Sequence, residues 1–143
     1  MAGRCAVRHR HRRHTATATR RADRRRSTSR PAETSVWTTF RCGSEIPNPL
    51  PGKTVAGYPV SITAGGTLDV TTHTLTDPSG AALDHVLITY KNDRYSATSP
   101  LVPKEQFYLI TSSALKTSTK YVAHFAGTSG GSPIDVTFSF TTK

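Results

Sequence analysis

The first 30 residues contain no Leu, Ile, Phe, Tyr or Trp, and their one acidic residue is Asp23. The same segment carries eleven arginines, which give it a net charge of +10. It cannot bury enough apolar surface to offset the roughly 1–2 kcal/mol per residue that ordering a chain costs. We therefore predict that residues 1–34 form a disordered basic tail ahead of a folded body at residues 35–143.

Long apolar runs and cysteine pairs are also scarce. The apolar runs are only a few residues long, which excludes a membrane span, and no apolar segment of about 7–15 residues follows the N-terminal charges as a secretory signal requires. Two cysteines, Cys5 and Cys42, are too few for a disulfide-stapled scaffold. Because Cys5 lies in the predicted tail, we expect no bridge between them.

The body consists of short runs rich in β-branched residues, separated by turn residues and without a helical apolar period. The predicted strands cover residues 35–40, 58–63, 67–75, 83–90, a short run from 95, 106–111, 119–126 and 134–142. Seven or eight short antiparallel strands predict an all-β, immunoglobulin-like β-sandwich. A small closed barrel is the structural alternative. Pro59 favours an edge position for its strand, because proline lacks the ladder donor.

The alternation of apolar and polar residues predicts which aromatic side chains form the core. We expect five aromatic residues to be largely buried: Trp37, Tyr121, Phe125, Phe138 and Phe140. Tyr121 opens the penultimate predicted strand, after Leu115 and Thr119. This spacing is typical of a structural tyrosine corner, whose hydroxyl bonds to upstream backbone while its ring joins the core.

Four pieces of the body carry a family resemblance when taken in order. They are Glu45-Ile-Pro-Asn-Pro-Leu-Pro, Gly57-Tyr-Pro-Val-Ser, Leu115…Thr119…Tyr121 and Thr137-Phe-Ser-Phe-Thr-Thr. Together they resemble the C-terminal immunoglobulin-like domain of some bacterial CAP-superfamily proteins, which are relatives of cysteine-rich secretory proteins. The CAP domain itself has no counterpart in residues 1–34, so none of its functional residues carries over.

The resemblance implies a non-enzymatic accessory module of a secreted or cell-surface bacterial protein, with a structural or binding role. Its expected partner is a neighbouring CAP domain or a cell-envelope component. We expect a monomer that needs no cofactor.

The basic tail supports an alternative function, which is binding of nucleic acid or another polyanion. Arginine forks match phosphate geometry, and the densest run contains Arg20, Arg21, Arg24, Arg25 and Arg26. No aromatic residue is interleaved to stack on bases, so the expected binding is non-specific. Out-of-frame translation of GC-rich DNA gives the same composition and is a further interpretation of the tail.

Three patterns resemble catalytic or metal sites, and none has the context such a site needs. The Gly127-Thr-Ser-Gly-Gly segment matches a nucleophile pattern but precedes another strand, not a helix, so we predict a hairpin loop. The tail residues Cys5, His9, His11 and His14 lie among arginines that repel cations, so we expect adventitious metal binding at most. His73, His85 and His124 fall in different predicted strands and are expected on polar faces. We therefore predict no catalytic residue and no metal site.

Overall fold

The computed structural model describes residues 16–19, 33–45, 48–93 and 101–143. Its strands are β1 (Ala16–Thr19), β2 (Glu33–Val36), β3 (Val60–Thr63), β4 (Leu68–Thr76), β5 (His85–Ile88), β6 (Gln106–Thr111), β7 (Lys120–Ser129) and β8 (Ser132–Thr142). Strands account for 49% of the described residues, and the described chain has no α-helix, which confirms the all-β class. In these ranges no helix has the length and apolar character needed to cross a membrane.

The strands form two separate four-stranded sheets, not one closed barrel. The first has the order β1-β3-β6-β5 and the second the order β2-β8-β7-β4. The β7–β8 hairpin is the longest antiparallel ladder, running from the Lys120–Thr141 pair to the Ser129–Ser132 pair. Two pairings are parallel, β1 with β3 and β2 with β8.

The sheets pack on a shared core. The first sheet contributes Val60, Ile62, Phe107 and Leu109, and the second contributes Leu68, Leu75, Tyr121, Ala123, Phe125 and Phe140. Ring centroids of Phe107 and Phe125 lie 4.8 Å apart across the two sheets. The predicted burial of Tyr121, Phe125 and Phe140 is confirmed, whereas Phe138 is only partly buried. The alternation read from the sequence therefore has the correct phase in β7 and β8.

Trp37 corrects the prediction for the first strand of the body. β2 ends at Val36, which is buried, and the side chain of Trp37 is 54% exposed. The Nζ atom of Lys143 lies 3.4 Å from the centroid of the indole ring. The prediction of a buried Trp37 is wrong because the strand stops before the residue and a terminal lysine covers the ring instead of the core.

The predicted edge position of Pro59 is also wrong. β3 lies between β1 and β6, so it is an inner strand of the first sheet. Pro59 immediately precedes the first residue of β3, where its missing N–H interrupts no ladder bond. A proline at the start of a strand therefore does not indicate whether that strand lies at the edge of its sheet.

Two short strands fall partly or wholly within the segment predicted to be a tail. The backbone of Ala16–Thr19 pairs with β3, with Ala16 opposite Val60, and β2 begins at Glu33, before the predicted boundary. The other tail residues lie outside the described part of the chain, as does the predicted short strand from residue 95. Disorder of the remaining tail stays a prediction.

The outer surface of the first sheet is covered by the chain between β2 and β3. Cys42, Leu50 and Ala56 of this segment pack with Ile110 of β6, and all four are buried. A backbone bridge between Phe40 and Ala56 closes the segment on itself. The first sheet therefore has apolar contacts on both sides, which explains why Ile110 is buried although its neighbour Leu109 faces the shared core.

Candidate functional site

Within the described residues, no segment covers the outer surface of the second sheet in this way. We use the name open face for the side chains on that surface of β4, β7 and β8. They are Thr72, Thr74, Thr76, Lys120, Val122, His124, Ala126, Asp135, Thr137, Ser139 and Thr141. All of them are exposed or half-buried. Because side chains alternate along a strand, the pattern places them opposite the core residues Leu75, Tyr121 and Phe140.

The strand register aligns the open face into rungs of three residues. Thr74, His124 and Thr137 form one rung, and Thr76, Val122 and Ser139 form the next. Hydroxyl groups thus run along both outer strands of this three-stranded surface. Each hydroxyl can donate and accept a hydrogen bond, so the face suits a polar partner.

One polar pair crosses the open face. His124 Nε2 lies 3.0 Å from Asp135 Oδ1, on neighbouring strands. The aspartate side chain is 76% exposed and the histidine 31% exposed, so solvent screens the pair. The pair orients the imidazole ring and leaves the carboxylate accessible to a partner.

Tyr121 lies on the core side of the same sheet, at the start of β7. Its ring is buried, and its hydroxyl oxygen accepts a hydrogen bond from the backbone N–H of Lys116 at 2.9 Å. The ring stacks on Phe140 with centroids 5.6 Å apart. One side chain therefore joins the core to the loop that precedes its own strand.

Thr142 fastens the same loop from the end of β8. Its hydroxyl donates to the carbonyl of Lys116 at 2.5 Å and accepts from the backbone N–H of Thr119 at 3.0 Å. The backbone N–H of Thr142 also donates to the carbonyl of Thr119. The β6–β7 loop is thus held by hydrogen bonds to two side chains, one from β7 and one from β8.

His73 and His85 contact each other where edge strands of the two sheets lie side by side. His73 is on β4 and His85 on β5, the edge strands of different sheets, and His73 Nδ1 lies 2.9 Å from His85 Nε2. His85 Nδ1 lies 2.7 Å from the carbonyl oxygen of Leu83, which can only accept. His85 therefore donates from Nδ1, and its Nε2 accepts a hydrogen from His73.

Burial and the facing His85 both lower the pKa of His73 below its ordinary value of 6.5. The cause is that an imidazolium is poorly solvated there and is repelled by a second positive charge. The lowered pKa favours the neutral form of His73, which can donate its ring hydrogen to His85 and so bond the two sheets. His73 and His85 lie on different strands, as expected, but the expectation that they lie on polar faces is wrong, because the two rings contact each other.

A pocket of about 210 Å³ adjoins the Tyr121 corner. Its lining includes Leu83, Leu115 and Tyr121, and the hydroxyl of Ser112 donates to Asp84 there at 2.9 Å. Typical ligand pockets have volumes of about 300–1,000 Å³, so this one suits at most a very small molecule.

The glycine-rich segment forms a tight hairpin, as predicted. Ser129 pairs with Ser132, and the two residues between them, Gly130 and Gly131, both have positive φ angles of 56° and 80°. Such a turn matches the twist of the strands it joins. Ser129 therefore precedes a strand, whereas a nucleophile elbow leads into a helix.

The remaining candidate residues from the sequence lie outside the described part of the chain. These are the arginines of the polyanion hypothesis, Arg20, Arg21, Arg24, Arg25 and Arg26, and the tail ligand set of Cys5, His9, His11 and His14. Within the described residues, no group of three or more His, Cys, Asp or Glu side chains could hold a metal ion. Cys42 is a buried free thiol.

Sequence reasoning missed the histidine pair, although one signal was present. His73 is two residues from Leu75, and His85 is two residues from Leu87, so both histidines share the phase of core-facing residues. Their proximity depends on how the two sheets are stacked, which no local pattern reports.

Comparison of the chain with protein-family models, with curated proteins and with solved structures finds no match.

Proposed function

We propose that this chain is a non-enzymatic accessory module with an immunoglobulin-like fold, belonging to a secreted or cell-surface bacterial protein of the CAP type. The observation that carries the proposal is the strand order. β3-β6-β5 faces β8-β7-β4, which corresponds to B-E-D facing G-F-C in a constant-type immunoglobulin sandwich. The resemblance of residues 35–143 to CAP-associated domains supports the same assignment.

The Tyr121 corner supports this fold independently of the strand order. In such sandwiches a tyrosine near the start of strand F bonds to backbone a few residues upstream, as Tyr121 does with Lys116. Two features depart from the pattern. β1 runs parallel to β3 instead of antiparallel, and the long segment between β2 and β3 covers the first sheet.

The difference between the two sheets supports a binding role for the open face. The first sheet is covered by Cys42, Leu50 and Ala56, whereas the second exposes rungs of hydroxyl groups. A polar surface dominated by hydroxyl groups fits a partner rich in hydrogen-bonding groups. We take this partner to be a component of the bacterial cell envelope.

The proposal is tested by co-sedimentation of the purified full chain with isolated bacterial cell-envelope fragments. Thr74→Lys and Thr137→Lys place bulky charges in one rung of the open face and should abolish co-sedimentation. Thr54→Lys adds the same charge on the covering segment and should leave it unchanged. Equal binding by all variants, or no binding by the parent chain, would contradict the proposal.

Polyanion binding by the tail is the second candidate, favoured by the net charge of +10 in residues 1–30. Replacing five arginines by glutamine, at Arg20, Arg21, Arg24, Arg25 and Arg26, should lower the salt concentration that elutes the chain from heparin. Each lost phosphate-type contact removes about 0.7–0.9 from the salt-dependence slope.

A matched control removes the same number of charges from the body. It replaces five exposed lysines by glutamine, at Lys53, Lys91, Lys104, Lys116 and Lys120. If retention depends on the tail, this variant elutes near the parent chain. If both variants elute equally early, the tail has no special role.

A further inference from the structure

We propose that His73 and His85 form a binding site for a borderline transition-metal cation of the Zn²⁺ or Cu²⁺ class, which links the edges of the two sheets. The site is separate from the open face and goes beyond the accessory role. Imidazole nitrogens are ligands that Zn²⁺, Cu²⁺ and Ni²⁺ favour. Here two of them face each other from different sheets, 2.9 Å apart.

The second contact of His85 is the one that a metal-ligating histidine uses. Its Nδ1 donates to the carbonyl of Leu83, which fixes the ring and leaves Nε2 unprotonated toward His73. Ligating histidines commonly donate their other ring N–H to a carbonyl or carboxylate, which sets the tautomer and orientation. His85 is therefore positioned as a ligand without any change of its own.

His73 needs only a small adjustment to complete the pair. Metal–nitrogen bonds of about 2.0–2.1 Å at a tetrahedral angle separate the two nitrogens by roughly 3.3–3.4 Å. His73 Nδ1 now carries the hydrogen bonded to His85, so on metal binding this proton moves to Nε2 of the same ring. The exchange leaves both imidazoles neutral, with Nε2 of His85 and Nδ1 of His73 free to face the cation.

The other coordination positions are filled by water. Among the described residues no third His, Cys, Asp or Glu joins the pair, so the site is open and its affinity is modest. An open site also makes the cation exchangeable. Because β4 and β5 are edge strands of different sheets, a bound cation would cross-link the sheets at that side.

The test uses the full chain in a background that removes competing ligands of the tail, with Cys5→Ser and with His9, His11 and His14 each replaced by Asn. Titration with ZnCl₂ is followed through the ring ¹⁵N signals of the remaining histidines. We expect the signals of His73 and His85 to move together along one saturation curve, with His124 unmoved. MgCl₂ should move none of them, because Mg²⁺ prefers oxygen ligands.

Two variants separate coordination from general surface binding. His73→Asn should weaken Zn²⁺ binding at least about 10-fold and remove the Zn²⁺-dependent rise in melting temperature, since ligand and outer-shell losses have effects of this size. His124→Asn is the matched control and should keep both. If His73→Asn does not fold, the ¹⁵N titration of the parent background decides alone. Unmoved His73 and His85 signals, or equal movement of His124, would overturn the proposal.

Discussion

The hydroxyl oxygen of Tyr121 accepts a hydrogen bond from the backbone N–H of Lys116, five residues earlier in the chain, at 2.9 Å. Tyr121→Phe keeps the stacked ring but leaves this partly buried N–H without its acceptor. We expect a loss of about 1–2 kcal/mol in the free energy of unfolding, measured by urea denaturation. Tyr90→Phe is the control, because Tyr90 is only half-buried, and it should cost clearly less. Equal costs would show that the corner does not stabilise the fold.

Among the residues of β8, we expect Phe140 to contribute most to the free energy of unfolding. Its side chain is 2% exposed and stacks on Tyr121, so Phe140→Ala should lower the free energy of unfolding by about 3–5 kcal/mol. Trp37→Ala removes a larger ring that is mostly exposed and loses mainly its contact with Lys143, worth about 0.5–1 kcal/mol. Thermal unfolding of both variants checks the order, and a costlier Trp37→Ala would contradict the described exposure of the indole.

Gly127 of β7 lies against the backbone of β4, where it pairs with Val70. A Cβ atom at this position would lie 2.0 Å from the backbone oxygen of Asp69 and 2.9 Å from Cα of Val70. Gly127→Ala should therefore destabilise the chain by about 1–3 kcal/mol or more, because backbone cannot move aside as a side chain can. Gly65→Ala is the control, since nothing lies within 4 Å of its Cβ position. Chemical denaturation of both proteins should show a large loss for the first and almost none for the second.

The carboxyl group of Asp77 makes the stability of the fold depend on pH under acidic conditions. The hydroxyl of Ser79 donates to its carboxylate, together with the backbone N–H groups of Ser79 and Ala81, and this lowers the pKa of Asp77 below 3.8. A lowered carboxyl pKa stabilises the fold above the unfolded value, and this contribution is lost as the pH falls through the folded value. An NMR titration should place the midpoint of Asp77 below 3.8, and Ser79→Ala should raise it.

Ser112→Ala is the control for that titration, because the hydroxyl of Ser112 donates to Asp84 instead. It should leave the midpoint of Asp77 unchanged. An unchanged midpoint in Ser79→Ala would mean that the Ser79 hydroxyl does not stabilise the carboxylate.

The strands of the body were predictable wherever alternation was long and regular. β6 was predicted at its observed bounds, and the apolar phase of Phe138 and Phe140 followed from period two. The prediction that Trp37 is buried failed because an isolated apolar residue at a strand end can be covered by any neighbouring side chain. Here Lys143 covers it. Local sequence patterns do not indicate which side chain covers such a residue.

Features that depend on stacking of the sheets were beyond local sequence reasoning. The cover formed by Cys42, Leu50 and Ala56 depends on a long connection folding back across β6. The meeting of His73 and His85 likewise depends on which edges of the two sheets face each other. Tyr121 was predictable because its partner Lys116 is close in sequence, so the corner is encoded within one loop and one strand.

The parallel pairing of β2 with β8 has a mechanical consequence. Glu33 lies opposite Phe140 and Val36 opposite Thr142, and the N–H of Lys143 donates to the carbonyl of Val36 at 2.9 Å. Tension that pulls the chain before Glu33 and after Thr142 in opposite directions runs along both strands. It shears all the bonds between the strands together, whereas an antiparallel pair pulled from adjacent ends opens one bond at a time. The protein should therefore resist stretching best along the direction of these two strands.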